Sequence, residues 1–457
     1  MTAIVDVADM GEGLLDGNKS MRFILIFWVF IFSGLAQNWD LPARGAEEIA
    51  RNTEKKITIS FEERLRYESR DGVTFGRDPD LATELLRTRI GMTYKPVAWL
   101  KFSGLLQDSR SPFYGPNSPA NVRDQADLHE AYVEFFPDAK SGFTFRAGRL
   151  MLNYGDGRLI GTPQWSNVSR TYDHARAAYK SGRTQLEFLF ASPIKNRLDT
   201  FNQPVLGEHV YGMYNVFSDL WHKGSLDVYI LRHDQNRIGG FTGGSTRLGT
   251  DRLGTTTYGG RFTLPLTSTI KFVAEGALQN GHTGPAMHRA GAGVGTIAKR
   301  WMAANRPLEV SAEYKFASGT RNPQETNRES TFDQIFAANH DKFGHQDLFG
   351  WRNVHNARSL STYGISKAFT ANFMYDSIWL ASSRDSLYNG TGRSIVRSAN
   401  GTAGRHVGEE TDLFFTYKYK HFMFGAGAGY LFQGEFIKQT TPGVSPLYSY
   451  VFSTYSF

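Results

Sequence analysis

Cysteine is absent from this 457-residue chain, which excludes disulfide frameworks, zinc–thiolate centres and cysteine nucleophiles. Apolar residues make up only 40%, below the roughly 45–50% usual in soluble domains. No apolar run reaches the roughly 20 residues that a spanning helix needs. Enzyme signatures are missing as well: there is no Gly-x-Ser-x-Gly elbow and no P-loop. The runs Gly291–Thr296 and Gly425–Tyr430 lack the final glycine of a dinucleotide fingerprint and read better as strands with small residues on one face. His340, His345, Asp341 and Asp347 fit no standard metal spacing. They read as hydrogen-bonding loop residues, so no catalytic, cofactor or metal site is expected.

What is abundant is aromatic side chains and glycine: 34 Phe, 21 Tyr, 8 Trp and 47 Gly. Few aliphatics with many aromatics is an odd balance for a soluble protein. It suits a membrane barrel, where only the outer face of each strand is apolar and aromatics ring both interfaces. The one hydrophobic stretch, Phe23–Ala36, follows Lys19 and Arg22, holds about a dozen apolar residues and ends in small ones, as a secretory signal does. Residues 1–20 are acidic and polar, a poor n-region, which points to Met21 as the start. The expected organisation is an extension and signal peptide over 1–36, a periplasmic segment over 37–55, and a barrel over 56–457. Losing 1–36 removes two bases and four acids, so the formal charge rises from +7 to +9. That surplus suggests an anionic partner; no nucleic acid is expected.

Period-two alternation recurs to the last residue. Ile57, Ile59, Phe61, Leu65 and Tyr67 face one way; Lys56, Glu62, Arg64 and Arg66 face the other. Eighteen such strands are predicted: 56–68, 84–95, 98–108, 127–137, 142–152, 172–180, 184–192, 208–218, 224–233, 255–265, 268–280, 290–301, 307–317, 359–368, 371–382, 406–419, 420–432 and 448–457. Short links alternate with long polar ones at 69–83, 109–126, 153–171, 193–207, 234–254, 281–289, 318–358, 383–405 and 433–447. An even strand count with two alternating loop classes is the pattern of an all-β, antiparallel up-and-down transmembrane barrel, whereas a β-sandwich enforces no such order. The segment 290–301, rich in Ala and Gly, is the weakest of the strands. The terminal Phe457 on an alternating strand resembles the signal read by the barrel-insertion machinery. An outer-membrane protein in contact with its lipids, and monomeric, is expected.

An eighteen-stranded barrel is too wide for side chains to fill, so its lumen carries the function. Inward positions by this register include Arg64, Arg66, Arg87, Arg89, Lys101, Arg146, Arg261, Lys271, Lys315 and Lys418. Arg64/Arg66 and Arg87/Arg89 lie on neighbouring strands and form one wall of four guanidiniums. Glu62, Glu130, Glu134, Glu275 and Glu313 share that face, so cross-strand ion pairs compete with solute for these cations. Arginine suits an anion pathway because its fork grips carboxylates at two points while staying charged.

Three segments carry a family resemblance. Gly148–Gly161, continuing through Trp165-Ser-Asn-Val-Ser-Arg-Thr-Tyr-Asp173, resembles a hallmark stretch of the alginate-export outer-membrane family. Thr331–Asn353 resembles a second and Phe432-Gln-Gly-Glu-Phe-Ile437 a third. The resemblance implies an eighteen-stranded barrel with an electropositive constriction that passes an anionic polysaccharide. It also implies pathway roles for Arg149, Arg158, Arg170 and Arg176 in the first motif and for Lys342 and Arg352 in the second. A nutrient porin for small anions or oligosaccharides is the competing reading. A barrel enzyme is a third, but no nucleophile–base pair is legible in 318–358. That loop is expected to fold into or over the mouth and restrict flow.

Overall fold

The computed structural model describes residues 56–77, 81–112, 121–137, 141–198, 200–236, 252–322 and 327–457. The expected signal peptide and periplasmic segment lie outside the described residues.

Eighteen long strands form the wall. The first six are β1 (Ile57–Asp71), β2 (Leu81–Val97), β3 (Leu100–Arg110), β4 (Asp124–Phe135), β5 (Gly142–Leu150) and β6 (Tyr172–Ser181). Next come β7 (Thr184–Lys195), β8 (Glu208–Phe217), β9 (Ser225–Gln235), β10 (Leu253–Pro265), β11 (Ile270–Thr283) and β12 (Ala286–Ala303). The last six are β13 (Arg306–Ala317), β14 (Val354–Gly364), β15 (Phe369–Leu380), β16 (His406–Tyr419), β17 (Phe422–Gln433) and β18 (Leu447–Ser456). Each is antiparallel to the next, and β1 pairs with β18 with Arg64 opposite Thr454, which closes the ring and leaves no edge. Phe457 completes the seam: its backbone exchanges two 3.1 Å hydrogen bonds with Phe61, and the two rings stack at 5.7 Å. No helix among the described residues is long and apolar enough to cross a membrane; the strands cross instead.

Alternation decides which way each side chain points. Ile90, Met92, Phe143, Phe188, Ile230 and Leu278 are exposed on the outer wall, where lipid covers them. Their alternates Arg87, Arg89, Thr144, Glu187, Tyr229 and Gln279 are buried. They are buried because three outer loops turn into the barrel and pack there. Phe332, Phe336, Phe343, Phe349 and Trp351 of 318–353 join Ile160 and Tyr172 in a core inside the lumen.

Four expectations need correction. The link 281–289 is only the turn Gly284-Pro285, because Thr283 and His288 are polar for facing the lumen rather than for being in a loop. Strict alternation of short and long links therefore fails at that point. The segment judged weakest, 290–301, lies in the longest strand, β12; its ladder bonds to β11 and β13 replace the packing its small side chains cannot supply. Strand β14 begins five residues before the expected 359, since His355 points outward against Tyr314. Finally, the 433–447 link holds a short helix, α1 (Glu435–Thr440), capped by extended Gly434 and burying Phe436 and Ile437.

Candidate functional site

The four guanidiniums of β1 and β2 do form one wall, but that wall is covered. Arg64, Arg66, Arg87 and Arg89 are 5%, 2%, 3% and 7% exposed. The loop 151–171 lies across them and receives nine of their hydrogen bonds. Arg64 donates to the carbonyls of Gln164 (3.0 Å) and Ser166 (3.1 Å). Arg87 donates to the same two carbonyls and, at 2.7 Å, to Glu62. Arg89 reaches Ser169 Oγ at 2.6 Å and Gln107 at 2.6 Å. The Arg66 guanidinium sits 4.0 Å over the Trp165 ring and pairs with Glu68 at 2.8 Å. A hydrogen bond to a charged donor is worth about 1.5–3 kcal/mol, so this set outweighs the modest entropic cost of closing a loop of this length. Asn167 staples the same stretch by donating to the carbonyls of Leu86, Arg110 and Val122.

The second loop, 318–353, is held from the opposite wall. Asp333 accepts from His233 Nδ1 (2.7 Å) and Thr255 (3.0 Å), while its backbone exchanges two bonds with the Gln279 amide. Burial alone would raise the Asp333 carboxyl. The facing His233 overrides it and holds the group well below the usual carboxylate range. The two loops then join. Ile160 and Phe336 form a parallel bridge, with Phe336 N donating to Leu159 O (2.8 Å) and Gly161 N to Phe336 O (3.0 Å). Trp165 stacks flat on His340 at 4.8 Å, and His340 meets Asp347 at 3.0 Å. Burial pushes the His345 imidazole down to about 3, with His340 adding to the effect, so it is neutral where it packs on Phe414 at 4.2 Å. The third loop, 381–405, carries the hairpin Ser386–Tyr388/Ser394–Arg397, fixed by Asn353 donating to the carbonyls of Ser382 and Ser386.

The remaining sequence-predicted cations divide between anchors and lumen-facing groups. Arg170 donates to the carbonyls of Phe336 (2.6 Å) and Ala337, and Arg352 to that of Gly392 (3.1 Å), so both tie loop to loop. Lys315 is buried against Glu313 (2.7 Å) and donates to the Lys342 carbonyl; Lys342 itself pairs with Asp341 at 3.0 Å. Arg149 binds Asp173 (2.9 Å) and the Asn202 carbonyl, and Arg261 binds Asp156 (2.7 Å). Arg158 meets Glu313 through Nη2 at 2.8 Å, while its Nη1 and Nε have no protein acceptor.

Closer to the periplasmic end, one row crosses four strands: Lys101 opposite Glu134, Glu134 opposite Arg146, Arg146 opposite Arg176. Glu134 answers all three cations, at 2.5 Å, 2.6 Å and 3.4 Å, and Glu187 takes a second contact from Arg176. Their side chains keep 17%, 23% and 16% of their surface, and the Nε atoms of both arginines have no protein acceptor. Sequence reasoning gave Lys101, Glu134 and Arg146 their inward face, and Arg176 entered only through the family resemblance. It gave neither Glu134 as their hub nor Asp333, Trp165 and Asn167 as anchors, because those partners lie far apart in the chain.

A family model described as alginate export matches residues 53–450. No curated protein matches the chain. Solved outer-membrane barrels of the same fold include Pseudomonas aeruginosa OccK11 (OpdR), at 10% identity over 88% of this chain and 96% of that one, TM-score 0.58. P. aeruginosa OpdO matches at 12% identity over 88% and 97%, TM-score 0.58, and Acinetobacter baumannii OccAB3 at 11% over 88% and 99%, TM-score 0.57. At such identities they speak for the fold, while the match across nearly the whole barrel speaks for descent: this chain, an outer-membrane β-barrel channel, belongs to the alginate export family.

Proposed function

We propose that the channel conducts an anionic polysaccharide or oligosaccharide, with Lys101, Arg146 and Arg176 as its principal carboxylate contacts and Arg158, Arg149, Arg261 and Lys342 as further ones. The observation that carries this reading is the row around Glu134: three cations share one hub carboxylate and keep part of their side-chain surface open to the lumen. A passing uronate carboxylate would replace water there and leave again, because Glu134 and Glu187 already temper the charge. Conduction requires that balance between admission and release. Arg64, Arg66, Arg87, Arg89, Arg170, Arg352 and Lys315 serve the same pathway from behind, by holding the loops that narrow it.

A second reading, a porin for small anions or short sugars, is favoured by how much of the lumen the loops fill. Planar-bilayer recording with uronate oligomers separates the two. Anion selectivity with block that strengthens as the oligomer lengthens supports the polymer channel. Length-independent block supports the small-solute porin, and cation preference overturns an anion pathway of either kind.

A further inference from the structure

The periplasmic ends of three consecutive hairpins carry a concentration of positive charge outside any ion pair, two of the cations on the lipid side of the wall and two in the turns themselves. Lys299 lies on β12 and Arg306 opens β13; Lys367 sits in the β14–β15 turn and Lys420 in the β16–β17 turn. All four are exposed. On β12 the even-numbered residues Ala286, His288, Ala292 and Val294 are buried toward the lumen, so Lys299 faces outward with Ile297 and Trp301. On β13 Lys315 is buried inward, and Glu313 on the same face meets it, so Arg306 has the outward parity. The only acid among the described residues of these hairpin ends is Glu309, which shares the inward parity and pairs with Arg300 at 2.6 Å. Exposed aromatics and aliphatics stand beside the cations: Trp301, Ile365, Tyr417 and Tyr419. The Lys299 ammonium is 5.8 Å from the Trp301 ring and the Lys420 ammonium 5.6 Å from that of Tyr419.

We infer that this arc is a binding surface for anionic phospholipid headgroups of the inner leaflet of the outer membrane. Aromatic rings at the strand ends mark the depth of the membrane–water interface. Cations at that depth on the outer wall meet lipid phosphates before they meet any soluble solute. A polymer inside the pore would instead meet the inward residues of the same hairpins, such as Arg300 and Lys418. The missing outward carboxylates leave phosphodiesters as the nearest counter-charge. A base near an anionic surface contributes roughly 1 kcal/mol, about a fivefold preference.

The test is the association of spin-labelled phosphatidylglycerol, against spin-labelled phosphatidylcholine, with the full chain in zwitterionic bilayers. The wild type should prefer the anionic lipid about fivefold, a preference that high salt weakens. The combined variant Lys299→Gln, Arg306→Gln, Lys367→Gln and Lys420→Gln should drop to near equality while keeping wild-type channel conductance, which certifies its fold. Arg289→Gln, an exposed outward site at the other end of β12, should leave the preference intact. Should the variant fail to insert, the wild type is measured in a competing phosphate salt: loss of the lipid preference there supports the inference, and its persistence overturns it. Equal association of both lipids with the wild type also overturns it. So does unchanged selectivity in the variant, or a variant whose only loss is block by uronate oligomers added from the periplasmic side, which would make the polymer the partner.

Discussion

Two populations of arginine share the inside of this barrel, and their hydrogen-bond partners tell them apart. Arg64 and Arg87 spend their donors on the backbone of 164–166, whereas Arg146 and Arg176 pair with Glu134 and keep 23% and 16% of their side-chain surface open. Substituting both of the latter with Gln should shift the reversal potential toward cations. It should also weaken block by uronate oligomers about tenfold, the lower end of what a charge-assisted hydrogen bond supplies once water screens it. Arg64→Gln should act differently, giving larger and noisier single-channel currents with little change in selectivity, since it frees a loop rather than removing a contact. Single-channel recording at fixed ionic strength reads both outcomes.

His345 sets a pH dependence whose sign follows from its burial. Docked against Phe414 its pKa lies near 3, while in a released loop it returns to about 6.5. The released loop therefore binds the proton more readily, and acid favours release. Docking is at full strength above about pH 6.5 and weakens as pH falls toward 3. Mean conductance should rise across that window, and His345→Phe, which keeps the apolar contact without the proton, should flatten the part of the rise that His345 causes.

At the scale of elements, the strands were legible in the sequence because lipid on one side and polar groups on the other impose a period of two on every one of them. The misjudged places share one cause. Around Thr283 and His288 the chain is polar because it faces a filled lumen, so polarity there mimicked a loop. In β12, Ala and Gly satisfy only the backbone ladder and leave no apolar trace. The loops were legible as long polar links, but not their anchors: nothing local marks Asp333 as the partner of His233, a hundred residues away. The inner ends of these loops give sharp tests. A Cβ on Gly161 would sit 2.7 Å from the Gly157 carbonyl and 2.8 Å from Ala338 Cβ, so Gly161→Val should part the two loops and raise conductance without dismantling the wall. Asp333→Ala removes the nearer of His233's two buried carboxylates and leaves only Glu208 at 3.6 Å, so the cost should fall at or below the lower end of the roughly 3–5 kcal/mol that breaking a buried pair takes. Its thermal transition should fall accordingly. Deleting 325–350 should open the pore most of all, and unchanged conductance would refute a restricting role for that loop.

For the whole molecule, the closed ring confines the permeant to a lumen whose charges are used differently along its depth: those nearer the outside grip loops from both sides, while the row from Lys101 to Arg176 closer to the periplasm keeps surface open. Screening falls off over about 8 Å at physiological salt. Selectivity measured between dilute and molar salt should therefore decline steadily, as expected if a few partly exposed cations set it.

Because Arg64, Arg66 and Arg87 hold main-chain carbonyls of 164–166, they recognise chiefly a path rather than particular residues. The side chains at 163 and 166 can thus be exchanged while the bend of the chain stays put, whereas Gln164, Trp165, Asn167 and Ser169 are themselves gripped and Val168 is buried. Related channels could in this way vary the rim of their narrowest passage, and with it what they admit, on one unchanging bracket.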